Sequence, residues 1–572
     1  MTAARNRRDA VYLALIVAGG AAARIYGLDF GLPHQGVRPD ELTLIARVMN
    51  FFSWDLNPRF FSYPSLLMYL LFLAYNLYYC LGLALGKFRS LGDFIAFYAR
   101  DPSSFYLISR GISALFGTLS ILAVHQLALR LFGRIEALLA ACFLAFAYLH
   151  VRDSHFGTTD VPVTFFVIAS YVAMAAFWNA SSTRTSTVAG LFAGLAASTK
   201  YMGALLCVPM VLARLFAADT PPGRPRSQAP NRSLVVFGLA FAAAFLAGTP
   251  YALVELARIR GDFAREVRAV WAFGYPLPSG WVYHLTCSLR YGLGLPLLGA
   301  SLLGCFVLFH RDWRKACFLM SFPLLYYVLM GKGNRDFVRY AIPLVPFLCV
   351  TAAVLLSQLH ALARRQISAG RSSSLLAGAV VALLFPSLDS VVRFDSLLGK
   401  QDTRVAARQY VEQVVPSGSS FSEFSSAFGE LELSPSGSQV KKLLVSATGE
   451  SVQERVDRVR WEEVRTGGRV GYELWQYDPE TRQFLADGRP APGSPDFIIV
   501  EDSPLRFYPA RVTPEIRELT HRDYVLGKSF LAYGNLAPGT IFNEMDALYI
   551  PYAGFGGYRR PGPNIFVYRR SP

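Results

Sequence analysis

The feature that most constrains this chain is a set of apolar runs, each close to 20 residues, recurring from the N-terminus to about position 390. A helix of that length crosses the roughly 30 Å hydrocarbon core of a bilayer. Lipid offers no partner to backbone polar groups, so such runs must fold as helices. The chain therefore reads as mainly α, a polytopic transmembrane bundle whose first partner is the lipid bilayer. Its 572 residues are only 17% charged, below the roughly 25% of soluble domains. The formal charge of +16 would suggest nucleic acid in a soluble protein. Here the Lys and Arg residues punctuate apolar segments, as positive-inside loops facing anionic headgroups do, and no nucleic-acid partner is expected.

All seven cysteines precede position 350 and lack the paired spacing of a zinc or redox site, so no disulfide framework is implied. The opening MTAARNRRDA precedes an apolar run that reads as a retained span, 9–28, rather than a cleaved signal. Arg5, Arg7 and Arg8 place the N-terminus in the cytoplasm and 29–62 outside. Later basic clusters then predict spans near 105–131, 134–150, 160–178, 186–200, 202–217, 233–250, 290–310, 315–331, 339–358 and 374–390. That makes about eleven and leaves the remainder of the chain outside.

YPSLLMYLLFLAYNLYYCLGLALG (63–86) is long enough to cross, yet one crossing there would invert every later loop against its basic residues. Its tyrosines at 63, 69, 75, 78 and 79 suit an interface, where the ring is buried and the hydroxyl wet. The expectation is an interfacial helix on the outer side; the alternative is a crossing paired with a second, weak one in 87–104.

Past position 392 the composition turns charged and rich in Gly, Pro and Ser. The chain divides into a transmembrane domain, 1–391, and an extracytoplasmic soluble α+β domain, 392–572. FIIVE (497–501), ALYIPY (547–552) and NIFVYRR (564–570) read as strands, and TRVAARQYVEQVV (403–415) as a helix. No catalytic motif is visible in this domain. The stretch TPPGRPRSQAPNR (220–232) has the composition of a cytoplasmic loop.

Ionisable groups at membrane depth are costly and point to function. Four clusters fall on the outer side. Asp40 and Glu41 precede LTLIARVMNFF, whose Leu42, Ile45, Met49 and Phe52 fall on one face of a short amphipathic helix with Asp40 near its N-cap. RDSHFGTTDVP (152–162) supplies His155 and Asp160, the latter at a span entrance where it too could cap a helix. STKYMG (198–203) sets Lys200 and Tyr201 between two apolar segments, either as a snorkelling lysine or as a phosphate contact. GKGNRDFVRYAIPLVP (331–346) brings Lys332, Arg335 and Arg339 to the top of a span. Outward cations run against the positive-inside bias, and an anionic lipid phosphate would explain them. A carboxylate accepts the proton of an acceptor hydroxyl, and Lys and Arg stabilise a departing phosphate. The combination suits sugar transfer from a lipid-phosphate donor.

The order of segments carries a resemblance. Asp40–Glu41 after the first span is followed by NPRFFSYPSL, SALFGTLSILAVHQLALRLFGR, RDSHFGTTDVPVTFF, GLFAGLAASTKYMGALL, GTPY and RYAIPLVPFL. Over roughly residues 9–400 this resembles the GT-C superfamily of membrane glycosyltransferases. The likeness is greatest to the glycosyltransferase family 39-like group of protein O-mannosyltransferases and aminoarabinose transferases, and the C-terminal domain resembles the tail of bacterial members. The resemblance implies an inverting transferase that takes a sugar from a polyprenyl-phosphate carrier, undecaprenyl in most bacteria, to an envelope acceptor. It places Asp40 at the reaction centre with Glu41 beside it, and Asp160 as the second-loop carboxylate. Some relatives hold a divalent metal ion between the loop carboxylates and others do not; His155 is the candidate ligand. No MIR-type insert is visible between 251 and 289, which speaks against a protein acceptor. A transporter or flippase would show two-fold repeats, which the sequence lacks. A non-catalytic envelope-assembly protein would leave the loop carboxylates and outward cations unexplained.

Overall fold

The computed structural model describes residues 2–217, 230–271, 278–333, 336–436, 439, 452–466 and 468–572. The basic linker 220–232 lies almost wholly outside the described residues. The chain forms two compact units. The first comprises Met1–Tyr26, Asn57–Leu70 and Ser109–Val392; the second comprises Gly27–Leu56, Leu71–Ile108 and Arg393–Pro572.

Helices lie on each of the expected spans, from Thr2–Ile25 to Ala369–Leu398. Among the described residues five helical runs, Leu66–Ala84, Ser103–Leu131, Asp160–Asn179, Val338–Gln366 and Ala369–Val414, are long and apolar enough to cross a membrane by length and composition. A sixth arises if Gly280–Leu293 and Leu295–Arg311, bent by 114°, count as one span. The run expected to lie in the interface is itself one of the five, an unbroken 19-residue helix. The segment after it holds only the ten-residue amphipathic helix Leu91–Arg100, about 15 Å long and too short to cross.

Within the first unit, helix Thr183–Thr199 packs closely on helix Pro230–Gly248. Gly190 and Gly194 make this possible: a Cβ on either would run into the backbone carbonyl of Phe237 or Phe241. Small residues four apart let helix backbones approach where lipid supplies no hydrophobic drive.

The second unit is built on a seven-stranded sheet. Its strands are β1 (Ser420–Phe424), β2 (Glu473–Asp478), β3 (Gln483–Ala486), β4 (Arg489–Pro490), β5 (Phe497–Asp502), β6 (Tyr524–Phe530) and β7 (Asn564–Arg570). They lie in the order β4-β3-β2-β1-β5-β7-β6. Central β1 pairs parallel with β2 and β5, and the remaining pairs are antiparallel. The apolar run in β5 reflects burial on both faces. Ile499 joins Phe421, Ile565 and Val567 on one side, packed with Ala407 and Val411 of helix Thr403–Val414. Ile498 joins Phe424, Phe484 and Tyr524 on the other, packed with Ile516 of helix Pro514–Asp523.

ALYIPY is not a strand. Ala547 adopts φ 50°, a left-handed turn that ends any extended run, and Leu548, Tyr549 and Ile550 are buried as irregular chain. Burial there comes from contacts distant in sequence: the Tyr549 hydroxyl donates to Glu501 Oε1 at 2.8 Å.

Candidate functional site

In the first unit, three of the expected site residues come together. Asp160 opens helix Asp160–Asn179, and its backbone carbonyl accepts from Thr164 Oγ1 at 2.8 Å. Its side chain does not cap the helix. Oδ1 accepts from Lys200 Nζ at 2.6 Å, and Oδ2 lies 3.6 Å from Arg339 Nε.

Both cations sit where an α-helix is broken. Lys200 is extended (φ −153°, ψ 133°) between helix Thr183–Thr199 and the 3-10 turn Tyr201–Leu206. Arg339 lies in the 3-10 turn Val338–Leu344, where Pro343 and Pro346 remove the amides an α-helix needs. Asp160 and Arg339 are 3% and 4% exposed. The Lys200 ammonium also sits over the Tyr340 ring, 4.8 Å from its centroid, and the Arg339 guanidinium 4.0 Å over Phe337. One carboxylate thus holds two cations at a position closed off from solvent.

Three sequence motifs meet beside this cluster. Thr249 of GTPY bonds Ser198 of STKYMG, Oγ to Oγ1 at 2.7 Å, and accepts the amide of Ser65 from NPRFFSYPSL at 3.4 Å. The same segment is held to helix Leu256–Trp271 through Phe61 N to Asp262 Oδ2 at 2.8 Å. The Tyr201 hydroxyl donates to the Phe61 carbonyl at 2.8 Å. Tyr201, expected at the phosphate, is therefore committed to the backbone. Tyr340 is the tyrosine that meets Lys200; its place next to Arg339 in RYAIP was the available signal.

In the second unit, helix Pro39–Asn50 carries Asp40 and Glu41 in its first turn. The N-cap is Arg38, with Pro39 at the first helical position, so Asp40 lies one step inside the helix rather than at its cap. A carboxylate there is favoured by the helix dipole. Arg38 is 1% exposed and pairs with Asp546 Oδ1 at 2.9 Å. The buried face holds Glu41, Leu44, Ile45, Val48 and Met49, whereas Leu42 is 37% exposed. Of the expected face, Ile45, Met49 and Phe52 are buried and Leu42 alone is not; the buried face includes the Glu41 carboxylate in its place, and Asp40 stands at its half-buried edge.

His155 is fully buried, and both ring nitrogens lie 3.0 Å from backbone carbonyls, those of Val151 and Tyr26. Burial pushes its pKa down to about 4, opposed by those backbone bonds. With both nitrogens so engaged it does not fit a metal ligand. Among the described residues no group of three His, Cys, Asp or Glu side chains is arranged to hold a metal ion. Arg335 lies outside the described residues. Lys332 is exposed. The sequence reading passed over Asp336, 1% exposed, whose Oδ1 stands 3.9 Å from His284 Nε2. Among the described residues neither carboxylate oxygen of Asp336 has a hydrogen-bond partner.

The apolar helices, long enough to cross a bilayer, are those of an integral membrane protein. Residues 108–252 match the family model described as dolichyl-phosphate-mannose-protein mannosyltransferase. That match covers about a quarter of the 572-residue chain.

Among solved structures, ArnT from Cupriavidus metallidurans bound to undecaprenyl phosphate is 14% identical, with a TM-score of 0.50, and the match covers 97% of this chain and 98% of that one. AglB from Archaeoglobus fulgidus, in complex with an inhibitory peptide and a dolichol-phosphate, is 14% identical with a TM-score of 0.46, covering 72% of this chain. The match spans 58% of the length of AglB. The S. cerevisiae Pmt1–Pmt2 complex bound to the sugar donor is 20% identical over 45% of this chain and 34% of that one, with a TM-score of 0.31. No curated protein matches this sequence.

Proposed function

We propose that this chain transfers a sugar from a polyprenyl-phosphate carrier to a hydroxyl of an extracytoplasmic acceptor, with inversion at the anomeric carbon, in the plasma membrane of a bacterium. The observation that carries the reading is the Asp160–Lys200–Arg339 cluster, a buried carboxylate shared by two cations that each sit at a helix break. The acceptor oxygen attacks the anomeric carbon, and its proton passes to Asp40 acting as general base, with Glu41 beside it. The bond between that carbon and the phosphate oxygen breaks, and the polyprenyl phosphate leaves carrying the new negative charge. Lys200 and Arg339 stabilise that charge, with Asp160 holding both in position. Undecaprenyl phosphate bound to ArnT is the kind of carrier this requires. In this orientation the N-terminus is cytoplasmic, residues 63–86 do not cross, and the C-terminal unit is extracytoplasmic. An engineered thiol at Arg89 should then label from the outer side, in a background without native cysteines.

The test is the full-length chain in proteoliposomes with polyprenyl-phosphate-linked mannose and aminoarabinose, read by release of polyprenyl phosphate. Mass spectrometry of envelope glycans in a deletion strain identifies the acceptor. Saturable donor binding without turnover, and unchanged glycans in the deletion strain, would turn the reading toward a carrier or assembly protein.

A further inference from the structure

The second unit contains a cavity of about 250 Å³ that the proposed transfer reaction does not use. Its charged lining is four arginines, Arg100, Arg408, Arg460 and Arg469, against two carboxylates, Glu432 and Asp457, with Trp461 beside them. They come from segments far apart in sequence: Arg408 from helix Thr403–Val414, Arg460 and Trp461 from helix Val452–Arg465, and Arg100 from the end of helix Leu91–Arg100.

Two of the four are satisfied. Arg100 pairs with Glu463. Arg408 Nε donates to Glu412 at 2.9 Å, with Glu432 3.8 Å away. Glu432 directs its Oε1 inward to the amides of Gln35 and Gly36 at 2.9 and 3.1 Å. The other two arginines are open. Arg460 is anchored through Nε to the Ala99 carbonyl at 2.8 Å, which fixes its guanidinium while Nη1 and Nη2 find no acceptor among the described residues. Arg469 makes no side-chain hydrogen bond or ion pair among them and is only partly exposed. Its pKa is lowered by burial and by the charges of Arg408 and Arg460, which Glu412 and Glu463 only partly offset.

We propose that this cavity binds a phosphate-bearing ligand, gripped by the open guanidinium groups of Arg460 and Arg469 beside Trp461. Planar guanidinium forks match phosphate oxygens two at a time, and a shared anion relieves the crowding of like charges. The volume lies below the roughly 300–1,000 Å³ of drug-sized sites, so the ligand is of headgroup size rather than a long glycan. Glycerol phosphate, free phosphate and a phospholipid headgroup share this chemistry.

The test uses the full-length protein in detergent, titrated calorimetrically with inorganic phosphate and with glycerol 3-phosphate. A parallel arm measures binding to vesicles of phosphatidylglycerol against phosphatidylcholine. Saturable binding that weakens with salt, and falls at least about tenfold in Arg469→Ala and in Arg460→Ala, is expected. Binding of the soluble phosphates assigns a free phosphoryl ligand. Arginine-dependent binding confined to phosphatidylglycerol vesicles assigns a lipid headgroup. Arg469 makes no side-chain hydrogen bond or ion pair among the described residues, so its variant should unfold at the wild-type temperature, separating a lost ligand from a lost fold. The proposal is overturned if no probe binds saturably, or if both alanine variants bind as wild type does. Either result leaves the sugar-transfer reading intact.

Discussion

Two buried carboxylates in this molecule meet arginine in opposite ways. In the sheet unit, Arg404 Nε and Nη2 donate to Asp402 Oδ1 and Oδ2 at 2.9 and 2.7 Å, and Nη1 donates to the Phe428 carbonyl at 2.7 Å. Asp402 also caps helix Thr403–Val414 through the Arg404 amide. The charge is balanced within the pair, and the remaining guanidinium nitrogen is taken up by the Phe428 carbonyl. In the helical unit, Asp160 is shared between Lys200 and Arg339, with Arg339 held at 3.6 Å rather than in a fork. A closed fork reads as architecture. A carboxylate shared between two cations at helix breaks is the arrangement the proposed transfer uses.

The largest expected effect lies with the proposed base. Asp40→Asn preserves the size of the side chain and removes its basicity, so kcat should fall by about 10²–10⁴-fold while the fold persists. Near-normal transfer by this variant in proteoliposomes would remove Asp40 from the chemistry. Next comes the fork itself. Arg404→Ala strands the Asp402 charge in a dry site and should cost about 3–5 kcal/mol in denaturant unfolding followed in the C-terminal unit. Asp160→Asn should instead reduce donor turnover with a smaller loss of stability. Equal stability costs would erase the distinction between the two clusters.

Arg339→Lys should raise the KM for the polyprenyl-phosphate sugar by about tenfold with little change in kcat, because an ammonium lacks the two-pronged grip. An unchanged KM would take the phosphate away from Arg339.

The smallest effect is in pH dependence, where the two units should differ in sign. Burial alone would raise the pKa of Asp402, but the charge and hydrogen bonds of Arg404 outweigh it and hold the carboxyl below its usual range. Its contribution is therefore present above the unfolded value of about 3.9 and is lost as the medium turns more acidic. Asp336 has no such partner, and burial pushes it up to about 7. The folded state then holds its proton more tightly than the unfolded chain, so this group costs stability as pH rises from about 4 to about 7. Asp336→Asn should remove that decline from thermal-unfolding profiles; an unaltered profile would show the carboxyl to be ionised without cost.

Much of this was legible residue by residue. Apolar length marked the helices, and the β runs around Ile498 and Val567 announced themselves by composition. Asp160, Lys200 and Arg339 were singled out because each interrupts an apolar segment on the same expected side of the membrane. Other features were not visible. Leu42 was assigned to a buried face that in fact includes Glu41 in its place, because in a twelve-residue helix apolar spacing alone does not fix which residues fall at the edge of the face. Tyr201 and Tyr340 are equally plausible neighbours of a cation until the NPRFFSYPSL segment claims the Tyr201 hydroxyl. His155 has the chemistry of a ligand until two carbonyls occupy its nitrogens.

What the sequence determined by itself was therefore what depends on local length, polarity and period. This includes a helical membrane bundle, a mixed C-terminal unit, and the set of charged groups that lipid would tolerate only for a purpose. What the tertiary structure alone decided was partnership. Asp160 meets Lys200 and Arg339, Asp336 faces His284 without a hydrogen bond, and four arginines from three helices and a loop line one cavity. The physical reason is that burial follows from a residue's own neighbourhood in the chain. A charge's partner depends on where helices break and strands cross, over separations of 40 to more than 300 residues.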